Sequence, residues 1–115
     1  MRLWKMEIVF SEFLDIERKN SLFIKFTLSE DGKELMEFVV SHLHTIGSKQ
    51  REIIRFDCSS NERLHAHRFY LKGGQKQHLN IEISYDALDQ CKESIRANWH
   101  VYLAKYFENI TDKVI

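Results

Sequence analysis

Four of the six histidines in this chain fall in two H-x-H pairs, His42-Leu43-His44 and His65-Ala66-His67, and between the pairs lies Arg55-Phe56-Asp57. On a β-strand, residues two apart project from the same face, so each pair would set two imidazoles side by side, with Arg55 and Asp57 likewise sharing a face. Such a set has three chemical uses. Two imidazoles beside an arginine suit phosphodiester cleavage, in which one histidine takes a proton and the other gives one. The guanidinium would then hold phosphate charge, and Asp57 would orient one of the rings. This acid–base use needs neither a metal nor another cofactor. Alternatively, His65, His67 and Asp57 form a three-ligand set for a divalent transition metal. The third use is none: a solvated sheet face simply carries polar side chains.

Which use is open depends on the elements that hold these residues. Residues 5–13 alternate loosely, and Leu22, Ile24, Phe26 and Leu28 alternate strictly, so both segments read as strands joined by the polar run 15–20. Asp31-Gly32 is the strongest short turn signal and should close a connection over 29–33. The segment 34–46 is ambiguous. Leu35, Phe38, Val39, His42, Leu43 and Ile46 fall at helical spacing with Gly47 as a possible stop, whereas the β-branched Val39, Val40, Thr45 and Ile46 favour a strand, the assignment adopted here. Strands follow over 51–59, 64–71 and 77–84.

From Ser84 the period changes to that of a helix. Leu88, Cys91, Ile95, Trp99, Tyr102, Tyr106 and Ile110 recur at steps of three and four, with Ser84 or Asp86 as N-cap, which predicts an amphipathic helix of roughly 24 residues. The expected fold is α+β: one domain over 1–115, an antiparallel meander of five to six strands with the long C-terminal helix packed on one face. Trp4 and Phe23 are read as packing residues, the helix aromatics as core or subunit-interface residues, and His78 and His100 as isolated and exposed.

With tight turns over 47–50 and 59–63, His42 lies opposite Arg55, Arg55 opposite His67, and Asp57 opposite His65. All five then share one polar face. The other face collects Val39, Leu43, Ile54, Phe56, Cys58, Leu64, Ala66 and Tyr70, with Arg68 the one polar exception, as the core beneath the helix.

Composition narrows the function classes without choosing one. The 115 residues carry 17 basic and 17 acidic side chains, so no global field draws in nucleic acid or an anionic membrane. Locally, seven basic residues against three acidic ones over 49–76 leave a surplus of four near the histidines, where a polyanion such as RNA would dock. No apolar stretch approaches the roughly 20 residues a membrane span needs, and the N-terminal segment carries charges where a signal peptide would be apolar. Two cysteines, Cys58 and Cys91, outside any C-x-x-C pair, fit a reducing cytoplasm and small buried groups. Phosphate-binding loops, H-E-x-x-H and nucleophile-elbow patterns are all missing from the sequence.

The segment 55–71, with Arg55-Phe56-Asp57, a short turn and His65-Ala66-His67, resembles several small prokaryotic domains of unknown function and the TumE-like toxin components of toxin–antitoxin systems. Phe56 stands where those domains carry Tyr, and Ser60-Asn61 where they often carry His-Gly. The resemblance implies a small stand-alone β-rich protein that acts on RNA beside an antitoxin-type partner. Combined with the residues, it gives the leading expectation: a metal-independent ribonuclease with Arg55 on phosphate, His65 and His67 as the acid–base pair, Asp57 orienting one of them and His42 in support. The competing expectations are a non-catalytic interaction module or homodimer, built on the sheet edge and the aromatic helix, and a metal-binding domain.

Overall fold

In a computed structural model, which describes residues 6–114 and the side chains of 6–110, six strands and one helix follow in chain order. They are β1 (Met6–Phe13), β2 (Asn20–Leu28), β3 (Leu35–Ile46), β4 (Lys49–Ser59), β5 (His65–Arg68), β6 (Gln75–His78) and α1 (Tyr85–Val114). The strands form one antiparallel sheet in the order β1-β2-β3-β4-β5-β6, the predicted meander, with α1 across one face of it. Trp4 and Lys5 lie outside the described residues.

Segment 35–46 is a strand, as its β-branched residues require, and Gly47 serves the turn that follows it. Ile46 pairs with Lys49, so the β3–β4 connection is only Gly47-Ser48. Gly47 has φ +62°, the conformation a two-residue hairpin needs at its first central position and one that glycine adopts without strain. β5 is shorter than its sequence pattern, and β6 begins before the predicted segment, which leaves Ile81 and Ile83 in the connection to the helix. The helix runs 30 residues, longer than predicted. It starts where Ser84 Oγ accepts a hydrogen bond from the Ala87 N–H at 3.0 Å.

The core lies between α1 and β2–β5. Leu22, Ile24, Phe38, Val40, Ile54, Phe56, Cys58 and Ala66 project toward Ala87, Leu88, Cys91 and Ile95 of the helix. Beyond Ile95 the stripe is only half buried: Trp99, Tyr102 and Tyr106 pack against the core without being enclosed by it. Both cysteines are buried, and burial raises both thiols, Cys91 to about 12, so neither is a thiolate near neutral pH.

One irregularity controls the faces. His42 pairs with Ile54 but Leu43 pairs with Glu52, so Ile53 is an extra residue, a β-bulge whose carbonyl accepts from the Tyr70 N–H at 3.1 Å. Relative to the expected four-residue turn, the two-residue turn moves the pairing by two positions and the bulge moves it back by one. The net slip of one exchanges the two faces of β3 against β4. Phe38, Val40 and His42 therefore point at the helix. Val39, Ser41 and Leu43 lie on the open face, where the sequence had placed neither Val39 nor Leu43.

Candidate functional site

On the open face, two cross-strand rows run side by side. One is Lys25, Val39, Asp57, His65 and His78; the other is Phe23, Ser41, Arg55, His67 and Lys76. The expected pairings of Arg55 with His67 and of Asp57 with His65 are both present. Four of the five expected site residues thus meet on one face, Arg55, Asp57, His65 and His67.

His42 does not join them. It is fully buried beneath the helix, its ring edge-on to Trp99 at 6.2 Å, and the one-residue slip between β3 and β4 is the reason. His44 lies beside it, and the two rings share one acceptor. Asp15 is held below the usual carboxylate range: burial would raise it, but hydrogen bonds from Asn20 and Lys19 outweigh that, so it is ionised and only accepts. The Asn20 side-chain nitrogen must therefore face Asp15 Oδ2, at 2.8 Å. The Asn20 oxygen is left to accept from His42 Nε2 at 2.9 Å and His44 Nδ1 at 2.8 Å. Each ring is thereby fixed as a donor at that nitrogen. Burial pushes His42 down to about 4, with the neighbouring His44 adding to the shift and Asp15 opposing it; burial also lowers His44. His42 Nδ1 has no hydrogen-bond partner among the described residues.

The second pair is built around a carboxylate. His65 is nearly enclosed, with 5% of its side chain exposed, and its Nδ1 donates to the Arg63 carbonyl oxygen at 3.1 Å. A carbonyl can only accept, so Nδ1 carries a proton, and Nε2 is the ring nitrogen that contacts Asp57 Oδ1. His67 Nε2 approaches the other oxygen, Oδ2, at 3.3 Å. Burial, reinforced by the nearby Arg55 charge and opposed by Asp57, lowers His67 and favours its neutral form. The three ligand atoms offered by Asp57, His65 and His67 lie within 4.8 Å of one another.

Around this trio lies a shell that the sequence did not reveal. Arg55 Nε donates to Asp57 Oδ2 at 3.2 Å and its Nη1 to Glu52 Oε1 at 2.8 Å, while Ser41 Oγ donates to Glu52 Oε2 at 2.7 Å. In a regular strand, Glu52, three residues before Arg55, would point to the opposite face. The bulge at Ile53 turns it to this one, and the adjacent pair Ile53-Ile54 in an otherwise alternating strand was the available signal. Phe69 stacks on His67 at 5.9 Å and lies beneath the Arg55 guanidinium at 5.5 Å. His78 is exposed but not isolated, its ring 5.7 Å from that of His65. Glu62 Oε1 stands 3.5 Å from His65 Nδ1 and 3.6 Å from Lys76 Nζ. A cleft of about 400 Å³ opens beside Asp57 and His65, lined also by Lys25, Thr27, Glu37 and Glu62.

The basic surplus over 49–76 is not concentrated here. Glu52, Asp57 and Glu62 outnumber Arg55 and Lys76 at the cluster. Lys49 and Arg51 lie beside Tyr106 and Ile110 of the helix, and Arg63 is paired with Glu82 at 3.2 Å.

Residues 6–112 match the DUF7718 family, a domain of unknown function, and the chain belongs to that family. No curated protein and no solved structure matches it. Among the described residues, no helix is long and apolar enough to cross a membrane.

Proposed function

We propose that this DUF7718 domain binds one divalent transition-metal ion through Asp57, His65 and His67. The observation that carries the proposal is the orientation of His65. With Nδ1 donating to a backbone carbonyl, Nε2 is turned onto a carboxylate oxygen, and a cation has to lie between the two, either a metal ion or a second proton on the ring. A ring that donates Nδ1–H to a backbone carbonyl and offers Nε2 inward is in the arrangement that orients metal-bound histidines. A tetrahedral zinc site sets its ligand atoms about 3.4 Å apart, so the trio needs only small side-chain adjustments to close around an ion. Three protein ligands leave a position open, the pattern of catalytic rather than structural sites. That position would face the cleft, where a bound metal supplies Lewis-acid activation of water or of a substrate oxygen.

The metal-independent ribonuclease is the second reading, because a protonated His65 would also satisfy Asp57 and would form an acid–base dyad with it. Two observations weigh against it. Arg55 already donates to Asp57 and Glu52 rather than standing free for phosphate, and the cluster is acidic where RNA needs a positive field.

Titration calorimetry of EDTA-treated, dialysed protein with zinc and manganese separates the two. The expected result is one ion per chain, with His67→Ala weakening binding by more than the roughly 10–100-fold that loss of an outer partner produces. The melting temperature of that variant in EDTA should fall by no more than several degrees, since the substitution removes a side chain that is 18% exposed and stacked on Phe69 but leaves the core beneath the helix intact. No binding by wild type, together with RNA cleavage in EDTA and a bell-shaped pH profile, would instead establish the acid–base reading.

A further inference from the structure

The two edges of the sheet are built differently. β6 is four residues of Gln-Lys-Gln-His, short and polar with a lysine in it, as edges that avoid other strands are. β1 is eight residues, MEIVFSEF, without lysine, proline or glycine. It is apolar on both faces, with Val9 53% and Phe13 59% exposed on the open face, and Met6 50% and Phe10 44% exposed on the helix side. The helix packs over β2, β3 and β4, and its Arg96 guanidinium holds Glu12 of β1 at 2.6 Å. An edge strand in this state exposes apolar side chains and a row of unpaired N–H and C=O groups together.

We propose that β1 pairs antiparallel with β1 of a second copy, joining two sheets into one of twelve strands with both helices on the same side. The sequence of the strand selects this occupant, because it is complementary to itself. About a two-fold axis at Val9, Val9 meets its own copy, Ile8 meets Phe10, Glu7 meets Ser11 and Met6 meets Glu12, and every pair keeps the faces matched. Moving the pairing by one residue sets Glu7 against Glu12 and exchanges the faces; moving the axis to Phe10 sets Ile8 against Glu12. The Val9 register pairs Ile8, Val9 and Phe10 with one another and keeps both carboxylates opposite uncharged partners, whereas an axis at Ile8 sets Val9 against Glu7. It involves none of the proposed metal ligands, so it stands or falls independently of them.

Light scattering of the full chain from roughly 5 to 500 μM should give twice the chain mass, falling to one chain mass on dilution. Val9→Lys, which places a charge at the centre of the pairing, should give one chain mass throughout, with the far-UV spectrum and zinc binding of wild type. Hydrogen exchange on the wild-type protein tests the pairing without a variant. At high concentration every β1 amide should be protected, and in the monomer only the alternate amides that bond to β2. The proposal is overturned by a wild type that is monomeric across the range. It is also overturned by alternate protection at every concentration, or by a dimer that survives Val9→Lys and is split by Val101→Lys on the exposed face of the helix.

Discussion

His42-Leu43-His44 and His65-Ala66-His67 are the same pattern on two strands of one sheet, and each pair converges on a single side chain. The difference lies in that side chain. Beneath the helix it is Asn20, whose amide oxygen accepts from both rings, while burial lowers both and favours their neutral forms. On the open face it is Asp57, a carboxylate that two ring nitrogens approach, one of them with its proton committed elsewhere. A neutral acceptor leaves one histidine pair part of the core, and a charged one makes the other the candidate cation site proposed above. The motif alone carries neither outcome.

The comparison is broken most severely at Asn20. Asn20→Ala leaves the N–H groups of His42 and His44 buried without an acceptor. At about 1–3 kcal/mol each, the loss is roughly 4 kcal/mol, or a fall in melting temperature of roughly 15 °C. Zinc affinity of the folded variant should match wild type, since Asn20 and Asp57 serve opposite faces. A melting temperature unchanged by this substitution would show that the buried network does not hold the fold.

Acid should act on the same pair. In the unfolded chain His42 titrates near 6.5, and in the folded chain near 4, so between those values the unfolded state binds a proton that the folded state refuses. Stability then rises with pH across this window and falls as pH drops through it, by up to about 1.4 kcal/mol per pH unit and about 3 kcal/mol in all. The downward shift of His44 has the same sign. Melting temperatures of metal-free protein between pH 7 and 4 should show this slope, and His42→Gln should flatten it. An equal slope in the variant would assign the acid sensitivity to other groups.

The sequence made the meander, the long helix with its Ser84 cap and the pairing of β4 with β5 legible, because each rests on a local period or on a turn. It concealed which way β3 faces. That depends on a turn two residues shorter than expected and on one bulged residue, and neither changes the apolar count enough for binary patterning to notice: Val39 exchanged with Val40 leaves the pattern equally plausible. His42 went to the wrong face for that reason, and Glu52 was overlooked for the same one. The site was legible as far as it lies on strands paired without irregularity, which is Arg55, Asp57, His65 and His67.

Glu52 provides the smallest and most selective test of the open-face site. Its carboxylate takes one N–H of Arg55 while Asp57 takes another, so the guanidinium is shared between two anions. Glu52→Gln keeps the shape and the Ser41 contact but removes a charge. Arg55 then concentrates on Asp57, drawing electron density from the proposed ligand, and the cluster also loses one unit of attraction for a cation. Both effects weaken metal binding, and the expected drop is about tenfold, the lower end of what outer partners contribute. Stability should change by less than about 1 kcal/mol, since the Arg55–Glu52 pair is partly exposed on both sides. Calorimetry with zinc on the two proteins reads the first effect and thermal melts in EDTA read the second. Equal or tighter zinc binding by Glu52→Gln would remove Glu52 and Arg55 from the support of the site and leave the bulge at Ile53 with a purely structural role.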